Sequence, residues 1–406
     1  MKLTGEEIKK YRCQFGAELD RCLDFWLKNG IDKKHGGVYT CLDRTGKLYS
    51  TDKSVWMQGR CGWMFARLCN LYGVRNEWIE ASRSCVEFID RYCIDVDGRM
   101  YFTVTEDGKP LRKRRYFFSE TFSIIAHAEY AKAAKDGAAL KKAREQFAFV
   151  NEIYKDRSAD PYKITPKTIP DTRSGRSLAE PMILLNLTSV LTACDPENYE
   201  EYRTLAKGYI NDIMTYHWKP EEKMLLENVG VMGEFMDYCS SGRLINPGHD
   251  IEASWFLLSE AIETDDSELA KKAEKIFCDA VERGRDESFG GLLYFVDAYN
   301  FPPEQYEHDM KLWWVHNEAI IASLMFYQYT GNEAYAEMFR EFTEYAFRVF
   351  SDPENGEWYG YLRRDGKPTE PPCKGSTYKG PFHLPRMLMT VDTILAQLEN
   401  KKAKEK

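Results

Sequence analysis

The sequence predicts an all-α protein, an (α/α)6 barrel of twelve helices with β-hairpin loops at one end. Three observations point there. Apolar residues recur at helical spacing in about twelve segments. The links between these segments alternate between short and long. Four of the long links repeat one glycine- and aromatic-rich pattern.

The first helix is expected over roughly 5–28, with Ile8, Tyr11, Phe15, Leu19, Cys22 and Trp26 on one face. The others are expected near 53–72, 75–93, 118–134, 139–156, 176–192, 197–217, 249–262, 266–283, 311–329, 332–349 and 381–399. Links after even-numbered helices are short, as at Gly73 and Gly331. Links after odd-numbered helices are long. Among these, His35-Gly-Gly-Val-Tyr39, Asp97-Gly-Arg-Met-Tyr101, Phe289-Gly-Gly-Leu-Leu-Tyr294 and Asn355-Gly-Glu-Trp-Tyr359 share a glycine turn before an aromatic strand. A second turn often follows, spelled Asp-Gly, which reads as a β-hairpin.

Six repeats of helix, hairpin, helix and tight turn must hide their apolar faces. Two concentric rings do so, and a right-handed solenoid is the rival. The closed barrel is favoured by an aromatic content of 14% and by ends without capping repeats. Residues 1–400 are therefore expected as one domain. The lysine-rich 401–406 is expected as a disordered tail. All long loops then fall at one end, beside the N-termini of the even, inner helices. Exposed helix N–H groups there favour developing negative charge.

Composition narrows the function. Of 406 residues, 43% are hydrophobic and 30% charged, with net charge −8, which argues against a nucleic-acid or anionic-membrane surface. The basic run Arg112 to Arg115 reads as a solvated turn. Eleven cysteines without CxxC spacing, most on helical faces, read as reduced core residues of a cytoplasmic protein. No apolar run reaches spanning length.

Three of the seven histidines, His249, His316 and His383, fall at the starts of the eighth, tenth and twelfth helices. One histidine at a helix start is most often structural; three on one rim favour function. His249 and Glu252 share a helix face with Trp255, although an N-cap with its carboxylate would look similar. Trp314 and Glu318 stand one turn apart behind Lys311, an arrangement suited to a sugar ring or to core packing around an ion pair. His383 and Arg386 open the last helix, Arg60 lies on the second, and Asn186 and Glu120 occupy inward positions on the sixth and fourth. Metal binding fits poorly, since neither HExxH nor paired Cys/His spacing occurs. GxGxxG, Walker and GxSxG sequences are also missing. Two histidines, an arginine and carboxylates suit proton abstraction beside a carbonyl, with cationic donors at the enediolate.

At these segments the sequence resembles the N-acylglucosamine 2-epimerase family, also called renin-binding proteins. The likeness runs through Glu18-Leu-Asp-Arg21, Trp56-Met-Gln-Gly-Arg60, Phe118-Ser-Glu120, Ala179-Glu-Pro-Met182, Asn246-Pro-Gly-His249, Lys311-Leu-Trp-Trp314 and Phe382-His-Leu-Pro-Arg386. The resemblance implies an (α/α)6 barrel and interconversion of N-acetylglucosamine and N-acetylmannosamine. It makes His249 and His383 the acid/base pair, with Glu252 orienting His249 and Arg60 on the enediolate oxygen. Glu318, Trp314, His316, Trp255, Asn186, Arg386, Glu120 and Lys311 are then expected at the substrate. His316, where cellobiose epimerases tend to carry glutamine, and Val190, where they usually carry histidine, favour the N-acyl branch. Pro381 stands where animal members have a cysteine. No metal or redox cofactor is implied. ATP as an allosteric activator and a homodimer are. The rival readings are another epimerase or isomerase of the superfamily, a glycoside hydrolase, and a non-catalytic binding protein.

Overall fold

The computed structural model describes residues 1–114, 116–162 and 168–404. Among them are twelve α-helices: α1 Gly5–Asn29, α2 Val55–Tyr72, α3 Asn76–Phe88, α4 Phe118–Ala134, α5 Gly137–Lys155, α6 Ala179–Cys194, α7 Tyr199–Asp212, α8 Pro247–Thr264, α9 Ser267–Gly284, α10 Trp313–Thr330, α11 Glu333–Val349 and α12 His383–Lys404. Each coincides with an expected segment to within a few residues. The ends expected at 93 and 217 are reached through π-helical turns, Ile89–Cys93 after α3 and Ile213–His217 after α7.

The even helices form the inner ring, each packed on the next, and α12 returns onto α2. The odd helices pack outside them, α1 against α12. Inner helices are buried around most of their circumference, as α10 is. Outer helices are amphipathic, as expected of a layer with solvent on one side. The closed barrel, not the solenoid, is the observed arrangement.

The tail departs from expectation. Helix α12 continues through Lys404, and the Lys402 ammonium donates to the Leu3 carbonyl beside α1. Residues 405 and 406, like Arg115 of the basic run, lie outside the described residues.

The hairpins also differ in kind. After each of four odd helices one isolated bridge closes a glycine turn: Ile31 with Val38, Ile94 with Met100, Arg285 with Leu292, and Ser351 with Trp358. An aspartate follows the first residue of each bridge and binds a lysine lying before the next inner helix. The pairs are Asp32–Lys53 at 2.6 Å, Asp95–Lys113 at 2.5 Å, Asp286–Lys311 at 2.7 Å and Asp352–Lys374 at 3.0 Å. Longer-range pairing joins neighbouring loops. Residues 53–54 pair with 103–104, 176–177 with 228–229, 244–245 with 296–297, and 311–312 with 361–362. Asp43 pairs with Cys373, which ties the first long loop to the last. The loop end of the barrel is thus tied by β pairs between neighbouring loops.

All eleven cysteines are free and seven are buried, in keeping with their reading as core residues. No helix among the described residues is long and apolar enough to cross a membrane.

Candidate active site

A cavity of about 240 Å3 opens at the loop end of the inner ring. His249 and Glu252 enter it from α8, His383 and Arg386 from α12, and Arg60 from α2. Helix α8 starts sharply because Asn246 accepts from the Gly248 and His249 N–H groups while Pro247 occupies the first turn. That cap places His249 at the rim. Trp314 on α10 neighbours both histidines, its ring centroid 5.3 Å from that of His249 and 5.7 Å from that of His383.

Each histidine gives Nδ1 to a carboxylate, which leaves Nε2 for a ligand. His383 Nδ1 lies 2.9 Å from Glu318 Oε1, and His249 Nδ1 lies 2.9 Å from Glu227 Oε2. Their charge environments differ. Burial, then the guanidinium groups of Arg386 and Arg60, push His383 well below its ordinary value. Burial lowers His249 as well, but Glu227, Glu252 and Glu318 outweigh it and the ring is raised. His249 therefore holds its proton to higher pH than an ordinary imidazole, and His383 loses its own at lower pH.

Arg386 is the hub of the floor. Its Nη2 donates to Glu252 Oε1 and, at 2.7 Å, to Glu318 Oε1, while Trp255 Nε1 donates to Glu318 Oε2 at 2.9 Å. Glu252, Glu318 and His383 offer ligand atoms within 4.8 Å of one another, the spacing of a cation site. The guanidinium already stands between the two carboxylates, so these residues hold an arginine where a metal would sit. The same ion pairs commit Glu252 and Glu318 to Arg386 and away from flanking a glycosidic bond, which disfavours the hydrolase reading. Arg60 is different. It is buried over the rings of Phe122 at 4.1 Å and Phe382 at 4.8 Å, and its Nε has no partner among the described residues. Burial lowers it to about 9, which leaves it charged at neutral pH and in need of an oxygen ligand.

A model of the N-acylglucosamine 2-epimerase (GlcNAc 2-epimerase) family matches residues 37–379. The chain is 36% identical to N-acylglucosamine 2-epimerase of Homo sapiens, covering 99% of this chain and 94% of that one. The chain belongs to the N-acylglucosamine 2-epimerase family. More distantly, it is 25% identical to a cellobiose 2-epimerase of Bacteroides fragilis, over 94% of this chain and 98% of that protein. The structure of a cellobiose 2-epimerase from Bacillus thermoamylovorans superposes with a TM-score of 0.82 at 19% identity, covering 95% and 99% of the two chains. That of a D-mannose isomerase gives 0.77 at 17%, covering 95% and 98%. These two share the barrel. Like its relatives, the protein is a carbohydrate epimerase.

In this epimerase the structure gathers His249, His383, Arg60, Glu252, Glu318, Trp314, Trp255, Arg386 and Asn186 around the cavity or its floor. It corrects four expectations. Glu252 does not hold His249; its carboxylate is turned to Arg386, and Glu227 takes the imidazole instead. Lys311 is fully buried on Asp286 as one of the loop staples. His316 is locked behind the site: Nδ1 donates to Leu312 O, Nε2 accepts from Leu292 N, and burial drops it to about 3. Gly291, at φ +69°, leaves room for that ring, since a Cβ there would lie 2.6 Å from Nε2. Glu120 binds Arg99 and the Met100 N–H in the second long loop. Within Phe118-Ser-Glu120 it is Phe118 that lines the cavity, with Trp56, Phe122, Met182, Ile183 and Phe256 completing an apolar wall. Glu227 was missed because no spacing rule links it to His249, which lies 22 residues on.

Proposed function

We propose that this epimerase interconverts N-acetylglucosamine and N-acetylmannosamine by ring opening and proton transfer at C2 between His383 and His249. The observation that carries the proposal is the pair itself: two imidazoles lining one cavity, their proton affinities shifted in opposite directions, with a buried arginine beside them. Ring opening exposes the C1 aldehyde and acidifies C2. Neutral His383 takes the C2 proton through Nε2. The C–H electron pair forms the C1–C2 double bond, and the carbonyl pair moves to O1. With nitrogen on C2 the anion is an enolate, and the Arg60 guanidinium answers its charge. Protonated His249 returns a proton to the other face and inverts the centre. No oxidation state changes overall, so the chemistry calls for no redox partner.

The apolar wall suits an acyl methyl group. A cavity of about 240 Å3 lies below the size usual for drug-sized ligands and suits a monosaccharide better than a disaccharide. Family membership also supports activation by ATP without its consumption, a homodimer, a cytoplasmic location and a supply of N-acetylmannosamine to sialic-acid metabolism. We extend the proposal to these features.

The test incubates the protein with N-acetylglucosamine in D2O, with and without ATP, and follows C2 by proton NMR. N-acetylmannosamine carrying deuterium at C2 is expected. Neither product nor exchange from folded protein would overturn the reading, and glucose, mannose and cellobiose would then be tried.

A further inference from the structure

The two histidine–carboxylate pairs look alike but are built differently. Glu318 divides itself among His383, Arg386 and Trp255, so the cationic hub shares its charge. Glu227 reaches His249 from another part of the chain, between the paired residues 224–225 and 228–229. Its backbone is clamped at both ends. The Glu227 N–H donates to Leu244 O at 3.3 Å, just before α8, and the Leu178 N–H donates to Glu227 O at 3.0 Å, just before α6. Next to it, Leu226 N donates to His217 O, and His217 Nδ1 bonds back to Leu226 O. The Glu227 backbone is thus held by the segments leading into α6 and into α8, the helix that carries His249.

We propose that Glu227 is the positioning residue for His249, holding its Nε2 toward the cavity and committing it to the proton-donor role. The inference rests on the proton-transfer reading above. The titratable groups around His249 are Glu227 from the loop, Glu252 on its own helix, Glu318 from α10 and His383 from α12. Asp250, the next residue, is buried with Oδ1 unpartnered among the described residues. Burial, then the neighbouring Glu227, push its carboxyl well above the usual range, which weakens it as a source of charge beside His249. His383 faces Arg386 and Arg60, with Glu252 opposing them. The donor and acceptor roles follow from which charges the fold brings to each ring, and for His249 the nearest is Glu227.

The test compares wild type with Glu227→Gln and Glu227→Asp. Glu227→Gln keeps the size of the side chain and an oxygen acceptor for Nδ1–H, but removes the charge. It is expected to lower kcat by about 10- to 100-fold, by analogy with the loss of a carboxylate that orients a metal-bound histidine. KM is expected to stay within about threefold, because Glu227 acts through His249 and not on the sugar. The alkaline limb of kcat/KM moves to lower pH, and Glu227→Asp recovers part of the loss. Exchange in D2O supplies a sharper reading. Starting from the epimer whose C2 proton faces His383, the Gln variant labels the recovered starting sugar faster than it makes product. From the other epimer, labelling and turnover are both slow.

An unchanged kcat and alkaline limb in Glu227→Gln would overturn the proposal. So would a uniform loss of exchange from both epimers with the limb unmoved, because that is the signature of a structural defect. NMR titration of the His249 imidazole in the ligand-free protein needs no substrate and is expected to fall in the Gln variant; no change there also overturns it. If wild type fails on N-acetylglucosamine while this titration moves as expected, the substrate reading fails and the role of Glu227 stands.

Discussion

The opposite shifts of His249 and His383 set a pH profile. His383 is needed neutral and is lowered, chiefly by burial and Arg386, so its limb lies below the ordinary 6.5. His249 is needed protonated and is raised against burial by Glu227, so its limb lies above it. The kcat/KM profile is expected to be a bell whose two limbs straddle about 6.5; a single limb would mean that only one histidine titrates in catalysis. Replacing His383 by Asn removes the base and is expected to lower kcat by about 10²- to 10⁴-fold, with loss of C2 exchange from the epimer it serves. Arg60→Met is expected to lower kcat by about 10²- to 10³-fold, measured against the same exchange assay. The histidines could be read from the sequence because they stand at helix starts on one rim. Their carboxylates could be read only where they share a neighbouring helix turn. Glu318 was found beside Trp314, whereas Glu227 comes from a segment whose approach is made by tertiary structure.

Between residue and barrel, most helices divide by how they begin, with the capped inner α8 and the uncapped outer α3 and α7 as exceptions. Outer helices α1, α5, α9 and α11 start with side-chain caps from Thr4, Asp136, Asp266 and Asn332. Inner helices α2, α6 and α10 lack such caps and are entered directly from the β pairs between loops. Asp266→Ala is expected to cost about 1 kcal/mol in chemical denaturation without changing kcat, because α9 starts at the end remote from the cavity. The buried lysine staples hold more. Lys53 has a fully buried side chain and its ammonium reaches Asp32, Gly36 O and Glu106 O. Lys53→Met strands the Asp32 carboxylate and is expected to cost about 3–5 kcal/mol, with the Lys53→Met/Asp32→Leu double variant less unstable than the single one. Helices were legible because a 3.6-residue period is local. The loops were legible only as glycine turns. Their partners lie in the next repeat, more than 45 residues away in each cross-loop pair, and no local period reports such a register.

At the scale of the whole molecule, the same staples govern acid stability. Burial raises Asp32, but its bonds to Lys53 and to the N–H groups of Lys34 and His35 outweigh this and bring it to about 2, below the unfolded 3.8. Asp286 and Asp352 are lowered in the same way by their lysine and arginine partners. A depressed carboxylate stabilises the fold above its unfolded value and loses that contribution as the pH falls through its folded one. Stability is therefore expected to be lost between about pH 4 and pH 2, with the transition shifted toward neutral in a staple variant. Ring closure has a different consequence. Asp43 pairs with Cys373, α1 lies on α12, and Lys402 reaches Leu3, so the first and last repeats meet as the others do and the two ends of the described chain lie side by side. The architecture is cyclic although the covalent chain is not. A permuted gene, with a short linker across this seam and new ends at the exposed Gly73–Val74 turn, would encode the same barrel around the same pair of histidines.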